Sequence, residues 1–141
     1  MNLYFDSSAL VKRYVKEQGS SSVLDWMDDS ELNGTVLVTR VEVAAAITRA
    51  VRMKYVSPDE ARQFLEFFRE EWSSFHRLPV TEGLVARADV VACEYHLRGY
   101  VAIHLAAALT WQELLGVPVT LVTYDRELAE AARAAGLAVL P

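Results

Sequence analysis

The sequence predicts an α/β domain, a parallel sheet covered on both faces by helices. Three observations predict it. Short apolar or β-branched runs of strand length (residues 3–5, 35–39 and 117–123) alternate with stretches whose apolar residues recur at helical spacing. Most joints between them carry a helix-capping residue or a closing glycine. Three acidic residues, Asp6, Glu42 and Asp125, each lie just past the C-terminal end of a predicted strand. In open α/β sheets that edge is where ligands sit.

The elements follow in order. Leu3, Tyr4 and Phe5 run into Asp6-Ser7-Ser8 and then into Leu10, Val11 and Tyr14, which reads as strand, tight turn and helix start. Asp6 or Ser7 caps that helix on the structural reading. The helix is expected to reach about Glu17 and stop at Gly19. Ser20, Ser21 and Ser22 cap a short second helix ending in the acidic stretch Asp28-Asp29-Ser30-Glu31. Asn33-Gly34 signals a turn, and residues 35–39 form the second strand. Val41, Ala44, Ala45, Thr48 and Val51 then mark a helical face, and Thr39-Arg40-Val41-Glu42 at its start matches a capping box.

Ser57-Pro58-Asp59-Glu60 is a stronger capping box with proline at the first helical position. Its helix carries an aromatic stripe of Phe64, Phe68 and Trp72, with Phe67 beside it. That stripe reads as core or as a partner-facing surface, and the face is more apolar than a monomer needs, which marks some of it as an interface. A weak third strand spans residues 75–80 and includes His76. Thr81 caps a long helix to about Arg98, closed by Gly99, and a further helix runs from Tyr100 to near Gly116. Residues 117–123 are the fourth strand. Tyr124-Asp125 is the joint to an Ala-rich helix ending at Gly136, and residues 137–140 are a terminal strand.

The bulk numbers fit one domain over residues 1–141. A hydrophobic content of 52% excludes disorder, and a net charge of -5 advertises no polyanion-binding surface. Charges balance up to Lys54, so a phosphate-facing patch would draw on Lys12, Arg13, Lys16, Arg40, Arg49, Arg52 and Lys54. The lone Cys93 allows no internal disulfide and reads as a small buried hydrophobe, which suits a reducing cytoplasm. No signal peptide and no membrane span are expected, because Asp6 interrupts the first apolar run and His104 the most apolar helix.

Clustered carboxylates repel one another by about 1 to 4 kcal/mol per pair at roughly 4 Å, so they persist if protonated, paired with a base or bridged by a cation. An all-oxygen set selects Mg²⁺ or Mn²⁺, and such ions activate water against a phosphate. Asp6, Glu42 and Asp125 therefore suggest metal-dependent phosphodiester hydrolysis.

Residues 4–12, Thr39-Arg40-Val41-Glu42, Ala102-Ile103-His104-Leu105-Ala106 and Leu121-Val122-Thr123-Tyr124-Asp125 together resemble the PIN-domain family, and within it the virulence-associated protein C type of bacterial toxin. The resemblance implies a three-layer α/β/α sandwich with a central parallel sheet. It implies an endoribonuclease dependent on Mg²⁺ or Mn²⁺, acting on an RNA substrate, neutralised by a cognate antitoxin protein and homodimeric. By motif match Asp6, Glu42 and Asp125 fall on the catalytic and metal positions, with Ser8 and Thr123 as nearby polar residues. One position departs: Val101 stands where the family pattern has an aspartate. A weakened or silent site is expected there, either as a natural trait or as a substitution that tames a nuclease. Glu94 is read as a surface acid and His104 as a satisfied packing residue.

Other classes fit less well. A phosphatase with a catalytic aspartate after the first strand carries Asp-x-Asp, whereas Ser8 stands at the second position here. A receiver domain needs a late lysine, and none follows Lys54. The alternative that stays open is a PIN-fold binding module that engages an antitoxin or RNA without cleaving.

Overall fold

The computed structural model describes all residues, 1–141. Five parallel strands, β1 (Asn2–Phe5), β2 (Leu32–Val36), β3 (His76–Leu78), β4 (Val119–Val122) and β5 (Ala138–Leu140), form one sheet in the order β3-β2-β1-β4-β5. Seven helices connect them: α1 (Ser7–Tyr14), α2 (Ser20–Asp29), α3 (Thr39–Arg52), α4 (Pro58–Glu71), α5 (Glu82–Tyr95), α6 (Gly99–Leu115) and α7 (Arg126–Ala134).

Period-two alternation divides the core between the two faces. Leu3, Phe5 and Val122 pack with Ala9, Leu10, Val43, Ile47, Phe68 and Trp72, so α1, α3 and α4 cover one face. Tyr4, Val36 and Leu121 pack with Leu84, Ala102, Leu105, Trp111 and Leu128, so α5, α6 and α7 cover the other. The result is a three-layer α/β/α sandwich. The central strand β1 buries Leu3, Tyr4 and Phe5 completely, which explains why it reads as a continuous apolar run. Its C-terminal end, between β2 and β4, delivers Asp6 to the sheet edge.

Several expectations need correction. Asn33-Gly34 is not a turn but lies within β2, paired beside Leu3 and Tyr4. The glycine is there because a Cβ at Gly34 would stand 2.7 Å from the Trp111 ring of α6. Thr39 belongs to α3 rather than to the strand. Helix α1 ends at Tyr14, not Glu17: Val15 turns extended, and the Ser20 hydroxyl bonds its carbonyl and the Glu17 amide. Gly19 precedes α2 at φ 92°, where a Cβ would meet the Tyr124 hydroxyl at 2.6 Å.

Helix α5 closes at His96, in the left-handed conformation, and Gly99 opens α6 instead of ending α5. Cys93 is exposed on the outer side of α5, with Sγ 3.7 Å from Asp89 Oδ1 one turn away, rather than buried. Glu94 is exposed, as a surface acid should be. The Ser57 box forms as expected, with Glu60 and Ser57 satisfying each other's backbone amides. No helix is long and apolar enough to cross a membrane.

Candidate functional site

The joint after β1 carries Asp6, whose side chain is almost fully buried. Its Oδ1 accepts the Ala9 amide at 3.0 Å, so the capping role holds, and it also accepts the Ser8 hydroxyl at 2.7 Å. Its Oδ2 accepts the Thr123 hydroxyl from the end of β4 at 2.6 Å. All of these donors are neutral. Burial pushes the Asp6 carboxyl up from the ordinary range, and the charge interaction with His104 and the hydrogen bonds from Thr123, Ser8 and Ala9 oppose that shift.

The hydroxyls are themselves held. The Tyr124 amide donates to Ser8 Oγ at 2.9 Å, and the Asp125 amide donates to Thr123 Oγ1 at 3.0 Å. The β1 and β4 joints thus form one chain of hydrogen bonds with Asp6 at its centre. Asp125 begins α7: its Oδ1 accepts the Leu128 amide at 3.1 Å, and its Oδ2 accepts from Arg98 Nη2 at 3.1 Å. Arg98 Nε also lies 3.4 Å from Glu127.

Glu42 behaves differently. The capping box over residues 39–42 does not form. Thr39 Oγ1 lies 2.7 Å from Thr35 Oγ1, which lies 2.7 Å from the Phe5 carbonyl oxygen, so that hydroxyl ties α3 to the sheet rather than capping it. Glu42, released from capping, places Oε1 2.7 Å from Nε2 of His104 on α6. The other ring nitrogen, Nδ1, stands 2.9 Å from the Tyr4 hydroxyl. Burial, followed by the charges of Asp6 and Glu42, raises the Tyr4 pKa well above its ordinary value, so both acids act on this hydroxyl.

The structure therefore links Asp6 with Asp125 through Thr123 and connects Glu42 to β1 through His104 and Tyr4. No three acidic, histidine or cysteine side chains stand close enough to enclose one ion. Glu42 is engaged by His104 and Asp125 by Arg98, so the fit to a hard divalent cation rests on Asp6. Its carboxylate offers anionic oxygen, the donor a hard divalent cation prefers, and has no basic side chain paired with it. An Mg²⁺ site can be built from one or two carboxylates completed by water. Val101 is partly buried against the α5–α6–α7 core, one turn before His104.

Sequence reasoning missed the part played by three residues. His104 is satisfied, as expected, but one of its two partners is a site acid. Tyr4 was the available signal, a hydroxyl in an otherwise apolar buried strand that had to find a partner. Arg98 gave no signal, because it meets Asp125 only through the packing of α6 against α7.

A PIN domain model matches residues 3–134 of the chain. The chain belongs to the PIN domain family. Among relatives of this PIN protein, Ribonuclease VapC35 of Mycobacterium tuberculosis (strain ATCC 25618 / H37Rv) is 35% identical over 153 residues, spanning 98% of this chain and 95% of the relative. Ribonuclease VapC49 of the same strain is 31% identical over 140 residues, spanning 99% and 94%. Among solved structures, a toxin-antitoxin complex from Klebsiella pneumoniae matches with a TM-score of 0.66 at 19% identity, covering 100% of this chain and 97% of that one. That likeness shows the shared PIN fold.

Proposed function

We propose that this PIN protein is the toxin of a toxin-antitoxin pair, a ribonuclease that hydrolyses RNA phosphodiester bonds with Mg²⁺ or Mn²⁺ at Asp6, Glu42 and Asp125. The observation that carries this reading is the Asp6 centre: a buried carboxylate with only neutral partners, at the sheet edge of a chain whose near-full-length relatives are named ribonucleases.

A divalent ion bound there would activate water and offset charge on the phosphate under attack. The chain's own residues do the positioning. Ser8, Thr123 and the Ala9 amide fix both Asp6 oxygens before any ligand arrives, so no reorientation is needed on binding. Burial keeps bulk water from this carboxylate and strengthens its field. Arg40, exposed in the first turn of α3, is a cation placed to meet an RNA backbone, whereas Arg98 is engaged by Asp125 and Glu127. Lys12 and Arg13 are already engaged, by Glu17 and Glu71 respectively.

The antitoxin is assigned to the α3–α4 side, where Leu37, Arg40, Val41, Ala44, Phe68 and Arg69 line a groove of about 390 Å³. Phe67 is 47% exposed on α4 but lies against Tyr14 and Arg13 of α1, outside that groove, and Phe68 and Trp72 belong to the core. A single domain over residues 1–141, a cytoplasmic location and a homodimer complete the proposal.

The test is cleavage of a structured RNA by the purified chain with Mn²⁺, with a chelator, and in Asp6→Asn. Cleavage lost in both control arms, with the variant still folded, supports the reading. One observation favours a second reading, a binding module that does not cleave: α6 supplies Val101 rather than an acid, and Asp125 is occupied by Arg98 and the Leu128 amide. No cleavage and no Mn²⁺ binding by the native chain, together with measured binding of an antitoxin or RNA, would establish that module.

A further inference from the structure

Tyr4 is fully buried and His104 nearly so. Core packing alone gives no reason for a hydroxyl and an imidazole there. Phe and Leu would fill similar volume without the cost of desolvating polar groups, and Tyr4 is flanked in β1 by Leu3 and Phe5, which do just that. Buried polar groups require satisfied partners, and these two find them in each other and in Glu42.

The carboxylate fixes the direction of one bond. A carboxylate can only accept, so Nε2 carries a hydrogen and donates to Glu42 Oε1 at 2.7 Å. The other ring nitrogen, Nδ1, pairs with the Tyr4 hydroxyl at 2.9 Å. The Tyr4 and His104 rings meet edge to face, with centroids 5.9 Å apart. Tyr4 sits on the central strand two residues before Asp6, so it is an anchor already fixed relative to the site. The network runs from that anchor through a rigid helix to a side chain that is partly exposed and would otherwise be mobile.

We propose that His104, oriented by Tyr4, is a positioning residue that aims the Glu42 carboxylate into the metal-binding edge of the sheet. The inference rests on the nuclease reading and adds to it the residues that set one ligand's direction. A side chain hydrogen-bonded behind a metal ligand is typically worth about 10- to 100-fold in affinity or activity.

Two substitutions separate positioning from packing. His104→Asn places an amide near the former Nδ1, within reach of Tyr4 but short of Glu42. His104→Gln extends a donor toward the former Nε2 and keeps the contact with Glu42. Calorimetric titration with Mn²⁺ and metal-free thermal melts are compared with the native chain. The expected result is Mn²⁺ binding weakened about tenfold or more in His104→Asn and largely retained in His104→Gln, with similar falls in melting temperature, since both lose the ring. Equal Mn²⁺ affinities in the two variants would show that the ring serves packing alone and overturn the proposal. Should His104→Asn fail to fold, Tyr4→Phe replaces it: removing the hydroxyl frees the ring, and unchanged Mn²⁺ affinity there overturns the proposal. A native chain that binds no Mn²⁺ overturns the nuclease reading and this inference with it. Native binding that is untouched in His104→Asn overturns this inference alone.

Discussion

The two halves of the site are held in different ways. On the β1–β4 side, Asp6, Ser8, Thr123 and the amides of Ala9, Tyr124 and Asp125 bond within two chain joints, each a few residues long. On the β2–α6 side, Glu42 depends on a histidine 62 positions away in sequence and on a tyrosine from the sheet's centre. The first half combines cap and turn bonds that a short segment carries with it and two bonds between the ends of the neighbouring strands β1 and β4. The second exists only once both faces of the sheet have been covered. Mutations should expose that difference, the first half failing in stability and the second in aim.

The largest effect is expected from Val101→Asp, which adds an acid to the α6 side. Mn²⁺ affinity and RNA cleavage should rise by about tenfold or more, as second carboxylates complete a metal site. The metal-free protein should lose about 1 kcal/mol to like-charge repulsion in a water-like dielectric. Melts with and without Mn²⁺, run beside an RNA cleavage assay, measure both. Unchanged affinity would place the defect elsewhere than in the missing acid.

Thr123→Val tests the first half. It leaves Asp6 Oδ2 without its donor and the Asp125 amide without its acceptor, and should cost about 1–3 kcal/mol in urea unfolding. Glu42→Gln should cost less, about 0.5 kcal/mol, because the amide oxygen can still accept from His104 and the group reaches solvent. A reversed order would mean that the α6 side, not the joints, carries the stability.

A weaker effect is expected from pH. Burial raises the folded-state pKa of Asp6 above its unfolded value. Such a group contributes stability that is full below the unfolded pKa of about 4 and is lost as the pH rises through the folded value. The metal-free native chain should therefore lose stability relative to Asp6→Asn as the pH is raised from about 3 toward 7. A difference that grows in the native chain's favour would mean that the hydrogen bonds from Ser8, Thr123 and Ala9 outweigh burial. Smallest of all, Arg98→Gln should change stability by no more than about 0.5 kcal/mol, because its ion pair with Asp125 is largely exposed. Denaturant midpoints decide it, and a larger loss would make Arg98 part of the scaffold that holds Asp125.

The same division governs what the sequence discloses. Asp6 and Asp125 were legible because each sits between a strand pattern and a helix pattern, and capping preferences are local. Both do cap their helices. Glu42 was placed at the right edge, but its capping box failed because Thr39 found a stronger neighbour in Thr35, which belongs to another element. Asn33-Gly34 misled for the same reason: its glycine makes room for Trp111, more than seventy positions later, and no local rule carries that information. His96 closes α5 in a conformation usually left to glycine, so Gly99 looked like the end of one helix when it is the start of the next.

The contact between Trp111 and Gly34 has a consequence for transplanting this site. Trp111 lies seven residues, or two helical turns, beyond His104 on α6, so both side chains face the sheet together. Gly34 pairs directly beside Tyr4. The indole resting on the bare strand fixes how α6 can slide or roll, and so fixes where the imidazole arrives. A graft that carried only the acids, their turns and the paired ends of β1 and β4 into another scaffold would bring Asp6 with its support and leave Glu42 without direction. The smallest portable unit is β1, the β2–α3 corner, the β4–α7 joint and the whole of α6, with Gly34 and Trp111 kept as a matched pair.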